Sequence, residues 1–205
     1  KHDGSLNDCF EIVSHPMSMD YHMNKMPWEK IFKSALRLDY FSHDTSTCGL
    51  HIHVDREALG SDVMEQENTV ARILYFIEKH WDKLLIFSRR NETQIAQWAN
   101  RYGLLGNPKE TLEGAKKSAS GRYVCLNLQN DSTIEFRIFR GTLKYSTFIA
   151  TLQFVDEICN KAISMSDADF QAMTWNSFVL EINQGSKQEL KSYLVNRHIN
   201  ECLVA

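Results

Sequence analysis

Apolar and polar residues alternate along four stretches of the chain and recur at steps of three and four through much of the rest. In "CGLHIHVD", residues 48–55, an extended backbone puts Leu50, Ile52 and Val54 on one face and His51, His53 and Asp55 on the other. "RYVCLNLQ" at 122–129 turns Val124, Leu126 and Leu128 inward and Tyr123, Cys125, Asn127 and Gln129 outward. "TIEFRIFRGTL" at 133–143 sets Ile134, Phe136 and Ile138 against Glu135 and Arg137. The short polar link Asn130-Asp131-Ser132 between these two runs predicts a hairpin. A fourth strand is expected in "CFEIVS" at 9–14, with Glu11 sharing a face with Cys9 and Val13 before His15-Pro16 stops it.

Helical periodicity marks 28–40 behind Pro27, and more strongly 62–88, where Val70, Ile73, Leu74, Ile77, Trp81, Leu84 and Leu85 line one side of a single long helix. Shorter helices are expected at 91–100, 145–163 and 188–196. Residues 101–121 hold four of the nine glycines with Pro108 and several lysines, which reads as a mobile loop. A hairpin flanked by helices, without regular strand–helix alternation, points to one α+β domain over residues 1–205, an antiparallel sheet backed by helices on one face.

That sheet would carry His51, His53, Asn127, Glu135 and Arg137 on its open side, with Glu11 a sixth if its strand joins. Two imidazoles about 7 Å apart along one strand face can converge on one ion. A carboxylate adds a metal ligand, and a guanidinium adds planar recognition of phosphate or carboxylate. Each signal alone has a plainer reading: hydrogen-bonded structural histidines, or a cross-strand ion pair. Their meeting on one face favours function. Cys125 reads as a small buried thiol, and Arg89-Arg90 as either partners of the preceding helix's terminal carbonyls or phosphate ligands.

Composition narrows the classes. The 205 residues are 43% hydrophobic, enough for a core, and carry a net charge of −3, which gives no bulk reason to expect nucleic acid or an anionic membrane as partner. Five cysteines without a CxxC pair fit reduced thiols and a cytoplasmic location. No apolar run approaches the roughly 20 residues a membrane span needs.

"DGSL" with "FEIVSHP", then "CGLHIHV", then "RYVCLNLQ" running into "STIEFRIFRGTL", in that order, resembles the amidoligase family over residues 1–143. The resemblance implies a glutamine-synthetase-like catalytic domain whose curved antiparallel sheet holds ATP with Mg2+ or Mn2+. It implies an ATP-dependent ligase that joins a carboxylate-bearing to an amine-bearing substrate through an acyl phosphate. It further implies metal or metal-nucleotide roles for Glu11, His51, His53 and Glu135, and a role at the transferring phosphoryl group for Arg137. By the same likeness Arg89, Arg122 and Arg140 are candidates for phosphate or substrate carboxylate, and Asn127 for a polar contact. Relatives open with an earlier Glu-x-Glu strand, expected upstream of Lys1 or lacking, and related synthetases often build sites between subunits. Two other classes fit the residues: a metal-dependent hydrolase using His51, His53 and Glu135 around an activated water, and a non-catalytic binding relative.

Overall fold

The computed structural model describes residues 11–43, 45 and 47–200. Two short helices come first, α1 (Met19–Asn24) and α2 (Trp28–Arg37). In α2 the buried Trp28, Phe32 and Ala35 recur every three or four residues, and the two rings meet Phe148 at 4.9 and 5.2 Å between centroids. Strand β1 (Gly49–Asp55) follows, then a 3-10 turn at Glu57–Leu59.

The expected long helix is two. α3 (Val63–Lys79) starts where Asp62 accepts a hydrogen bond from the Glu65 backbone at 2.9 Å, and α4 (Trp81–Ser88) continues after His80, whose φ of −107° and ψ of 30° leave the helical region. The apolar positions keep one phase across this break, so periodicity alone hid it. α5 (Glu92–Trp98) begins at an Asn91–Gln94 capping box.

Residues 101–121 are not the loop the glycines suggested. They contain α6 (Pro108–Lys117), opened by Asn107 accepting from the Glu110 backbone at 2.9 Å with proline at the first helical position, and Leu112 and Ala115 pack into the core. The Asn-Pro start was in the sequence, and glycine counting masked it.

β2 (Leu126–Asn127) is far shorter than the alternation of 122–129 implied, because Val124, Cys125, Leu126 and Asn127 are all buried and the segment is not a two-faced strand. β3 (Thr133–Arg140) is the central strand in the order β1-β3-β2, antiparallel to both neighbours. Residues 11–14 join no strand, and Ile12 and Val13 stand 41% and 63% exposed, so neither face of the expected strand is packed against the described residues. Cys9 and Phe10 lie outside the described residues.

Four helices close the described chain: α7 (Tyr145–Ser164), α8 (Asp167–Ala172), α9 (Trp175–Gln184) and α10 (Gln188–Asn196). The apolar side of β3 and the inward faces of α3, α4, α7 and α9 share one core, in which Phe154 of α7 stacks on Phe87 at 4.1 Å and meets Phe178 at 5.8 Å. Truncating a phenylalanine so enclosed costs about 3–5 kcal/mol. The helices thus fix one face of the sheet and leave the other to polar side chains. Among the described residues no helix is long and apolar enough to cross a membrane.

Candidate active site

The register of β3 with its neighbours draws the polar residues together. Asn127 of β2 and His53 of β1 both lie opposite Glu135, so the three form one line across the sheet. One step along, the pairing shifts: Leu50 faces Phe139 and Ile52 faces Phe136, so two steps on β1 answer three on β3. This bulge sets both Arg137 and Ile138 against His51, keeping Ile138 and Phe139 in the core while Arg137 turns to the polar face.

Glu135 is the hub and is 5% exposed. Its Oε2 accepts from Asn127 Nδ2 at 2.8 Å. Around Oε1 stand Arg137 Nη1 at 2.6 Å, His51 Nδ1 at 3.2 Å and His53 Nε2 at 3.8 Å. His51 Nδ1 is also 3.5 Å from Arg137 Nη1, and the ring's tautomer decides which neighbour it bonds. His53 meets Thr133 Oγ1 at 3.1 Å and stays half exposed.

Burial alone would push the Glu135 carboxyl up; the Asn127 bond and the charges of Arg137, His51 and His53 outweigh it, so the net shift is downward. His51 is held down to about 4, first by burial and then by the Arg137 guanidinium, against the pull of Glu135. Near neutral pH the face therefore presents an ionised carboxylate, a neutral imidazole at position 51 and a guanidinium within one small volume. Tyr123 flanks it: its ring lies 5.6 Å from the Arg137 guanidinium and 5.1 Å from that of Arg122, whose Nη2 donates to the Tyr123 hydroxyl at 3.0 Å.

The sequence candidates separate into two groups. His51, His53, Asn127, Glu135 and Arg137 are brought together. Arg122 sits at the edge on Tyr123. Arg140 pairs with Gly49 at the far end of the bulge, and its Nε is buried without a hydrogen-bond partner. Arg89 is spent on backbone: its Nη2 donates to the Arg140 carbonyl at 2.6 Å, and it lines a separate cleft of about 500 Å³ with Lys144, Tyr193 and Arg197. Glu11 is exposed and outside the sheet. Tyr123 was missed as the ring between two guanidiniums, and Arg90, weighed only together with Arg89, is the one of the pair that is 5% exposed and reaches the same cluster. Arg89, at φ 64°, is in the left-handed region, so Arg90 leaves the helix in a new direction, which helical periodicity does not foresee.

The donor set distinguishes two kinds of cation. Among the described residues no three of His, Cys, Asp and Glu are placed to hold a bare metal ion, and Arg137 Nη1 already lies against Glu135 Oε1. Magnesium arriving on a triphosphate needs only one or two carboxylates from the protein, with water and phosphate oxygens filling the rest. Glu135 is a carboxylate of the kind such a role takes, and guanidiniums are of the kind that pairs with phosphate oxygens.

A family model described as "Putative amidoligase enzyme" matches residues 1–159. No curated protein and no solved structure matches the chain.

Proposed function

The chain belongs to this amidoligase family, and we propose on that basis that it forms an amide from a carboxylate and an amine at the expense of ATP, on the sheet face centred on Glu135. The observation that carries the reading is the convergence of an ionised carboxylate, two imidazoles and a guanidinium on one oxygen, Glu135 Oε1.

The chemistry sets the demands. A carboxylate resists an amine because its carbon is electron-rich and oxide is a poor leaving group. When its oxygen attacks the γ-phosphorus, the bond from that phosphorus to the bridging oxygen breaks and ADP departs. The amine then attacks the acyl carbon, inorganic phosphate leaves, and one proton is released. Both steps build charge on phosphoryl oxygens, which fixed guanidiniums stabilise without reorganising. Arg137, anchored by Glu135 and held over Tyr123, is that group. His51, held down to about 4, stays neutral beside it and is a weak proton acceptor near neutral pH, so the proton of the incoming amine leaves with the inorganic phosphate. Mg2+ or Mn2+ carried in on the triphosphate would lie on the Glu135 side with His51 and His53, neutralising phosphate charge. A curved, glutamine-synthetase-like sheet and a cytoplasmic setting belong to the same proposal.

The hydrolase alternative needs three protein donors around one ion, and the described residues present no such trio. Calorimetry on the full chain separates the two. The ligase reading predicts saturable, magnesium-dependent binding of the non-hydrolysable analogue AMPPNP, lost in Glu135→Gln. Tight zinc binding by the bare protein with no uptake of AMPPNP would overturn it.

A further inference from the structure

Away from the Glu135 face, the cleft of about 500 Å³ opens between the start of α7 and the length of α10. Its α10 wall is two helical rows, Gln188, Ser192 and Asn196 in one and Glu189, Tyr193 and Arg197 in the other. Arg89, Lys144 and the first turn of α7 complete it. α10 lies beyond the residues that the family model matches.

Three cations share this hollow, Arg89, Lys144 and Arg197, and among the described residues no carboxylate pairs with any of them. Arg89 Nη2 donates to the Arg140 carbonyl, and Arg197 gives Nε and Nη2 to the Ile86 carbonyl at 3.1 and 2.8 Å. Burial first, and the charges of Arg140 and Arg197 after it, push the Arg89 guanidinium down against the pull of Tyr193. Single cations elsewhere, Arg56 and Lys79, also bond carbonyls, whereas Arg72, Arg101 and Lys187 each meet a carboxylate. What sets the cleft apart is the gathering of three round one opening, which raises a positive potential that draws anions. The first turn of α7 supplies no acid to offset it.

The cleft is also polar from end to end. Glu189, in the first turn of α10, accepts from Gln153 Nε2 at 2.7 Å, and among the described residues no cation pairs with it. Glu189 and Arg197 thus set opposite charges about 12 Å apart along the helix axis. An extended chain advances about 3.3–3.6 Å per residue, so roughly three or four residues span that interval. Between the ends, Gln188, Ser192 and Asn196 offer donors and acceptors of the kind that peptide amides take.

We propose that this cleft binds a short extended peptide, its terminal carboxylate at Arg89, Lys144 and Arg197 and its ammonium end toward Glu189. A compact anion such as phosphate would leave Glu189 and the amide row unused. The inference does not depend on the ligase reading.

Tetra-alanine, titrated into the full chain by calorimetry, is expected to bind saturably at millimolar concentration. Amidating its C-terminus should weaken binding at least about tenfold, and acetylating its N-terminus about threefold. Arg197→Gln should match the effect of amidation. Lys144 is exposed, so Lys144→Glu, expected to cost about fivefold, decides the matter if Arg197→Gln does not fold. Glu135→Gln should bind the peptide as the wild type does.

No saturable uptake of tetra-alanine, equal uptake of the free acid and the amide, or equal binding by wild type and Lys144→Glu overturns the proposal. Loss of the peptide in Glu135→Gln would seat it on the sheet face instead and overturn it too. Inorganic phosphate that displaces the peptide at equal concentration reduces the cleft to a simple anion site and overturns the peptide assignment. Lys144-dependent peptide binding in a chain that takes up no AMPPNP would sink the ligase reading and leave the cleft assigned.

Discussion

Glu78 and Glu135 are buried to nearly the same degree, at 2% and 5% exposure, and each is paired with an arginine, yet their surroundings differ in kind. Glu78, on α3, accepts from Arg101 Nε at 3.0 Å and the Tyr102 backbone at 2.7 Å, with the Cys125 thiol 3.9 Å away. Arg101 also donates to the Glu78 carbonyl and lies over Trp81. Every contact there is intramolecular and local charge balances, so the pair clamps the 101–106 segment to α3. Glu135 instead faces half-exposed imidazoles, and the arginines near it outnumber it. A buried carboxylate closed off by its own fold reads as structure; one surrounded by unsatisfied donors reads as a site.

The same substitution at both positions should break the symmetry. Glu135→Gln is expected to lower ligase turnover or magnesium-nucleotide affinity by on the order of 10²-fold or more, with a modest loss of stability as the guanidiniums lose a counter-charge. Glu78→Gln is expected to do the reverse: about 2 kcal/mol of stability lost in denaturant melts, for a charge-assisted bond given up, and nucleotide affinity unchanged. If Glu78→Gln abolished binding while Glu135→Gln left it intact, the two assignments would be exchanged.

A milder test stays on the Glu78 side. Asn107→Ala removes the cap of α6, the helix packed on α3, and should cost about 1 kcal/mol without touching the Glu135 face.

The smallest effect concerns pH. His80 meets Phe76 edge-on and Trp175 at a tilt, and burial first, then Lys79, hold its imidazole down to about 4, while its bond to the Met173 carbonyl pulls the other way. The unfolded ring takes up its proton near 6.5. The stability contributed by the neutral, buried ring is therefore complete above about 6.5 and is lost as pH falls toward 4. His80→Phe should flatten the fall of melting temperature across that window. His51, lowered to about 4 as well, accounts for part of the slope that remains.

These two regions also show what was legible in the sequence. The alternation in "GLHIHVD" and "TIEFRIFR" placed His51, His53, Glu135 and Arg137 on a common face, because side-chain direction in a strand follows from parity alone. Helices α2, α7 and α10 followed from their apolar spacing. The break at His80 was not legible, since a change of backbone angle at one residue leaves the hydrophobic phase intact. Helices α1 and α8, six residues each, offer too few turns for a period to show, although Ser18 and Ser166 cap them; α9 is as long as α2, and its signal lay in the Thr174 cap. The bulge that turns Phe139 into the core beside Ile138, the inward turn of Arg90 and the environment of Glu78 depend on long-range packing that no local pattern encodes.

The most direct test of the account is the anomalous scattering of manganese in crystals of the full chain grown with Mn2+ and AMPPNP. The account predicts a manganese peak beside the Glu135 carboxylate, with the terminal phosphoryl group against Arg137. Nucleotide and manganese seated instead in the cleft of Arg89, Lys144 and Arg197, with the His51–Glu135 face untouched, would contradict it.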